Sequence, residues 1–178
     1  MKQKNLTYFE EKPAQGYLND LYYDTCARIV GRPCLDVALI IDNGLMLVER
    51  SVEPLKGLYM AGGRIYWEKF TSILQYASLT MQEHFGIVVE MEAMTLLEPR
   101  FACFAARPYP EVSFFVVAEI TTAQFKEISL SLTEQTGMHI FKTETELTKH
   151  LEEIKASKTH AQILLDLWEE LRSKNLVR

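Results

Sequence analysis

Between Cys34 and Arg50 the chain reads CLDVALIIDNGLMLVER: two apolar runs rich in branched side chains, parted by Asp42-Asn43-Gly44. Asn-Gly accepts positive φ, the backbone a tight hairpin needs, so this stretch predicts two antiparallel strands. Cys34 to Ile41 is apolar enough to be buried, and Leu45 to Glu49 is the returning strand, ending at Arg50. The rest of the chain has to supply what covers this hairpin.

A helix is expected over Thr71 to Phe85. Thr71 is a suitable N-cap, and Ile73, Leu74, Ala77, Met81 and Phe85 form an apolar stripe, with Ile73, Ala77 and Met81 expected to be buried. Gly86 stops it. Upstream, Gly57 to Met60 reads as a short strand ended by a tight turn at Gly62-Gly63. Downstream, Ile87 to Glu90 and Met94 to Leu97 look extended, and Val112 to Ile120 is a second clear buried strand. Thr122 to Ile128 suits a helical turn and His139 to Phe141 a short strand. Two amphipathic helices follow, Glu144 to Ile154 and Thr159 to Lys174, the latter with Ile163, Leu164, Leu167, Trp168 and Leu171 on one face. Leu18 to Ile29 fits a short helix in an N-terminal arm, residues 1–34, ahead of a compact domain, residues 35–178. The expected class is α+β, a mixed sheet sandwiched between helices.

Composition narrows the function. With 178 residues, 48% of them apolar and 24% charged, the chain suits one soluble globular domain. A net charge of -5 and the lack of a basic block argue against nucleic acid, whose affinity rests on clustered Lys and Arg. Apolar runs such as Val37 to Ile41 are far too short for a membrane span, and Met1 to Asn5 has no apolar signal core. Cys26, Cys34 and Cys103 are odd in number and show no Cys-x-x-Cys, so they read as reduced cysteines of a cytoplasmic protein rather than a disulfide frame or zinc site.

The order of strand, Asn-Gly hairpin, strand ending in Arg, Lys-Gly-Leu-Tyr, Gly-Gly-Arg, helix and Gly-Ile resembles the Nudix hydrolase superfamily. Arg50, Lys56, Gly57, Tyr59, Gly62, Gly63 and Gly86 carry the resemblance, which extends from about Leu35 to Leu171. Within the superfamily the chain looks most like the GDP-mannose mannosyl hydrolase branch, through PCLDVALIIDNG, GGRI, and Leu79-Thr80-Met81 followed by Glu83. The resemblance implies a hydrolase acting on a nucleoside diphosphate derivative, such as a nucleotide sugar, with Mg2+ or Mn2+ as cofactor. A homodimer is among the assemblies it allows. Glu83 and Glu68 then stand as catalytic candidates, Glu83, His84 and Glu134 as metal ligands, and Arg50, Arg64, Gly62 and Gly63 as substrate-binding residues.

The family's box is incomplete here. Counting from Gly63, its first glutamate falls on Lys69, with Glu68 one place early. Counting back from Gly86, the Arg-Glu pair falls on Leu79 and Thr80 and the Glu-Glu pair on Glu83 and His84. The spacing between the two glycines exceeds the box, and Ala61 replaces the usual proline. The histidine base of the GDP-mannose branch would fall near Ser113 or Phe114, where there is none. Magnesium favours an octahedron of oxygens, commonly including carboxylates. A helix presents three carboxylates together at i, i+3, i+4 spacing. Here those places are Thr80, Glu83 and His84, and imidazole suits transition metals better than magnesium. The alternative function is therefore a catalytically silent Nudix-fold protein, binding a nucleotide or a protein partner as sensor or scaffold.

Overall fold

The computed structural model describes residues 32–51, 57–65, 72–102, 110–130 and 135–178. The Leu18 to Ile29 helix, Lys56, Thr71, Cys26 and Cys103 lie outside these residues. Among them, eight strands join in one mixed sheet. β1 (Arg32–Ile41) and β2 (Gly44–Arg50) form the expected hairpin, pairing Leu39 with Met46, Ile40 with Leu45 and Ile41 with Gly44. Asp42 and Asn43 occupy the turn, both at positive φ, which Asp and Asn tolerate better than other side-chained residues. Gly44 lies in the strand, where a Cβ would come within 2.8 Å of Ile140 Cγ2, so this glycine provides room rather than an unusual φ.

Beyond that short pairing β1 and β2 part, and two short strands fill the fork. β3 (Gly57–Tyr59) pairs with β2, and β4 (Ala61–Arg64) pairs with β1. β7 (Glu111–Glu119) runs parallel to β1 on its other edge. The far edge of β7 carries β5 (Met94–Leu96) and β6 (Arg100–Ala102), and the outer edge of β2 carries β8 (Gln135–Phe141).

Alternation along β1 divides the core between two faces. Leu35, Val37, Leu39 and Ile41 face α1 (Ile73–Phe85), where Ala77, Met81 and Phe85 are buried. Ser72, not Thr71, caps this helix: its side chain accepts from the Gln75 N–H at 3.1 Å. Ile73, expected to be buried, sits half-buried at the rim of the same cluster, because the first turn only begins to descend on the sheet. Gly86, at φ 71, donates to the Gln82 carbonyl and ends the helix as expected. Ala38 and Ile40 face the other way, toward α3 (Glu144–Glu153) and α4 (Lys158–Ser173). There Leu164, Leu167, Trp168 and Leu171 are fully buried, each worth about 2 kcal/mol in apolar area. A short α2 (Thr122–Glu127), closed by a Thr121–Gln124 capping box, follows β7. No helix among the described residues is long and apolar enough to cross a membrane. The expected mixed sheet between helices is what the chain forms.

Candidate functional site

The substrate-binding candidates lie on two strands, Arg50 on β2 and Gly62, Gly63 and Arg64 on β4. Gly63 of β4 pairs with Leu35 of β1, and Arg50 ends β2. Arg50, half-buried, faces Gly57 across β3, with a register break toward β8 between Glu49 and Arg50. Gly62 and Gly63 do not form the expected tight turn. They lie in β4, paired with Asp36 and Leu35, and positive φ among described glycines occurs only at Gly57 and Gly86. A Cβ on Gly62 would meet the Leu35 carbonyl oxygen at 2.0 Å, whereas one on Gly63 would meet nothing within 4 Å. Gly62 lets β4 press against β1, and Gly63 leaves backbone open beside it. Arg64 closes β4 opposite Cys34, which is buried.

Of the catalytic and metal candidates, Glu83 and His84 lie on α1. Glu83 is the one carboxylate of α1, exposed and, among the described residues, in no ion pair. His84 follows it, half-buried in the last turn, where a histidine complements the helix dipole. Thr80, the i−3 neighbour of Glu83, is buried and turns inward, its hydroxyl donating to the Tyr76 carbonyl at 2.9 Å. Glu68 and Glu134 lie outside the described residues. Among the described residues no three His, Cys, Asp or Glu side chains are grouped to hold a metal ion. The donors that α1 presents therefore do not fit the oxygen-rich shell of magnesium.

A different polar cluster, not anticipated from the sequence, lies on the opposite face of the sheet. The first turn of α4, capped by Ser157 accepting from the His160 N–H, lowers His160 onto β3. Its imidazole stacks on Tyr59, with ring centroids 4.0 Å apart and planes 6° apart. Burial lowers its pKa from 6.5 to about 4, opposed in part by a hydrogen bond with the Leu58 backbone. Beside it is a cavity of about 40 Å³, lined also by Asp36, Glu111, Ser113 and Arg100. Glu111 and Ser113 are buried in β7. Arg100 is fixed by the Glu170 carboxylate at 2.7 Å, the Asp166 carbonyl at 3.2 Å and the Asp166 carboxylate at 3.6 Å, and lies over the Phe115 ring. A lone histidine in a polar helix start carries no periodic or motif signal. Only the β3–α4 packing reveals it.

No protein-family model matches the chain, and no curated protein matches it. Solved structures do match in fold. A MutT Nudix hydrolase from Burkholderia pseudomallei superposes with a TM-score of 0.51 at 21% identity, covering 62% of this chain and 81% of that one. The Nudix domain of Shewanella oneidensis NrtR, complexed with ADP ribose, gives 0.55 at 17% identity, over 79% and 88% of the two chains. A C. elegans Ap4A hydrolase in a binary complex gives 0.55 at 14% identity, over 80% and 98%. The resemblance stated from the hairpin, the glycines and the capped helix is thus matched in three dimensions: the chain has the fold of the Nudix hydrolases.

Proposed function

We propose that this protein binds a nucleoside diphosphate derivative, such as a nucleotide sugar, through Arg50 of β2 and Gly62, Gly63 and Arg64 of β4. Binding, rather than metal-dependent hydrolysis, is its main function. The single observation that carries this reading is the content of α1: one exposed carboxylate, Glu83, with its i−3 partner position filled by an inward-facing threonine. Holding a diphosphate needs a guanidinium fork and accessible backbone donors. Hydrolysing it through a metal needs several carboxylates as well. The first set is present in the sequence, on β2 and β4, whereas the second is reduced on α1. The structural neighbour complexed with ADP ribose supports a diphosphate-bearing ligand as the class to try first.

A hydrolase in which Glu83 acts with Glu68 or Glu134 and Mg2+ or Mn2+ is the second reading. The exposure of Glu83 beside His84 favours it. Thermal unfolding with ADP-ribose and with GDP-mannose, in EDTA and in Mg2+, separates the two. A melting temperature raised by mass action in both buffers, and no longer raised in Arg64→Ala, supports binding. A rise confined to the Mg2+ buffer, with product formed, supports the hydrolase. An unmoved melting curve at millimolar ligand removes the nucleotide site and leaves a protein-binding scaffold.

A further inference from the structure

The tip of the β1–β2 hairpin sets an electrophile that is open to water beside a nucleophile that is not. Asn43 is exposed at φ 58, and Gly44, which follows it, is buried at the start of β2. No other asparagine of the chain precedes a glycine. Glycine lacks a Cβ and turns freely about its backbone, so its nitrogen reaches the preceding side-chain amide more readily than that of any other residue. The attack bonds the Gly44 nitrogen to Asn43 Cγ, the Cγ–Nδ2 bond breaks, and ammonia departs with the proton of the Gly44 N–H. Water then opens the cyclic imide. Entry at Cγ leaves an aspartate at this place. Entry at the backbone carbonyl leaves an isoaspartate, in which the main chain runs through the side-chain carbon.

The fold holds this chemistry back. Ring closure fixes the torsion about the Asn43 Cα–C bond, and a Gly44 held in its pair with Ile41 is not free to turn to it. Gly44 is also crowded from β8: an added Cβ would come within 2.8 Å of Ile140 Cγ2 and 3.1 Å of the Phe141 carbonyl oxygen. On the other limb the Lys142 ammonium donates to the Asp42 carbonyl at 2.7 Å and the Ile41 carbonyl at 3.4 Å, tying the turn to the residue that follows β8. Lys142 is itself anchored, its backbone N–H donating to the Glu146 carboxylate of α3 at 2.7 Å. Closed, the turn restrains the reacting atoms. Opened, it is an unhindered Asn-Gly peptide.

We propose that Asn43-Gly44 is a deamidation site gated by the hairpin, with Lys142 as the clamp. The aspartate product keeps the turn, since Asp tolerates positive φ. The isoaspartate product adds a carbon to the main chain between Ile41 and Gly44, so the strands no longer re-pair in register, and an opening is recorded permanently. Ammonia release and peptide mass mapping across the hairpin, followed in the full chain at mildly alkaline pH, test the gate. The chain unfolded in guanidinium chloride should lose the amide fastest, and folded wild type at least about tenfold more slowly. Lys142→Met keeps an apolar stem and removes the ammonium. It should speed the loss in the folded chain about fivefold, the effect of one hydrogen bond on local opening. Hydrogen exchange of the Gly44 amide in wild type is a second readout should the variant fold poorly. Exchange should be slowed, relative to the unfolded chain, by about the same factor as deamidation, because one opening admits both. Folded wild type that loses the amide as fast as the unfolded chain, a rate unmoved in Lys142→Met, or a Gly44 N–H that exchanges freely would overturn the gate. An amide that survives in the unfolded chain would overturn the site.

Discussion

α1 and α4 lie on opposite faces of one sheet and seal it with similar apolar stripes, Ala77, Met81 and Phe85 on one side and Leu164, Leu167, Trp168 and Leu171 on the other. What lies beneath them differs. Under α1 the floor is Leu35, Val37, Leu39, Val116 and Ala118, and the chemistry has to come from the helix's outer side, which offers one carboxylate. Under the first turn of α4 the floor is Asp36, Glu111 and Ser113, with His160 reaching down from above. Buried polar groups are costly to keep, whereas an exposed glutamate costs almost nothing. Among the described residues, the buried polar side chains Glu111, Ser113 and His160 lie on the α4 side and Thr80 lies on α1.

The comparison breaks first at Gly62, which lets β4 press on β1. Gly62→Ala drives a methyl into the Leu35 carbonyl and should cost more than about 3 kcal/mol, or abolish folding, whereas Gly63→Ala should change stability by less than about 1 kcal/mol. Urea unfolding of the two variants gives the contrast, and equal midpoints would mean that β4 does not pack this way. Trp168→Ala is expected to cost about 3–5 kcal/mol by opening a void under α4, read from the same unfolding curves. Its indole Nε1, also without a hydrogen-bond partner among the described residues, makes Trp168→Phe the milder change.

His160 supplies a pH test of the polar face. The unfolded imidazole titrates near 6.5 and the folded one near 4, so folding favours the neutral form. The stability this represents is fully present above pH 6.5 and is lost as the pH falls through 4, amounting to at most about 3 kcal/mol. The difference in unfolding free energy between wild type and His160→Phe should therefore vary between pH 7 and pH 4. A constant difference would place the imidazole in water rather than in the cavity. The smallest effect belongs to α1: Glu83→Gln should alter stability by less than about 0.5 kcal/mol, since the side chain is exposed. A larger loss would give Glu83 a structural partner and weaken the contrast between the faces.

The parts of the fold that were legible in the sequence were those set by period and punctuation. Asp42-Asn43-Gly44 marked the hairpin, and Gly86 with the Ala77, Met81, Phe85 spacing marked α1. The glycines were harder to read, because a glycine serves either positive φ or close approach and the sequence does not say which. Gly44 and Gly62 looked like turn residues and are packing residues in strands. β6 (Arg100–Ala102) was not anticipated, since three residues are too few to show alternation and its edge pairing is set by β7. At the site, Arg50, Gly62 and Gly63 were named from the resemblance, and they lie on β2 and β4. His160 and Arg100 were not named. Their roles come from side chains on β3, β7 and α4 that are remote in sequence.

The central claim is that ligand binding in this chain does not depend on metal. Titration calorimetry with ADP-ribose, in EDTA and then in Mg2+, tests it most directly. The account expects saturable binding in both buffers, with dissociation constants within about threefold of each other and no product formed. Binding seen only with Mg2+, accompanied by turnover that Glu83→Gln abolishes, would contradict it and return the function to the outer side of α1.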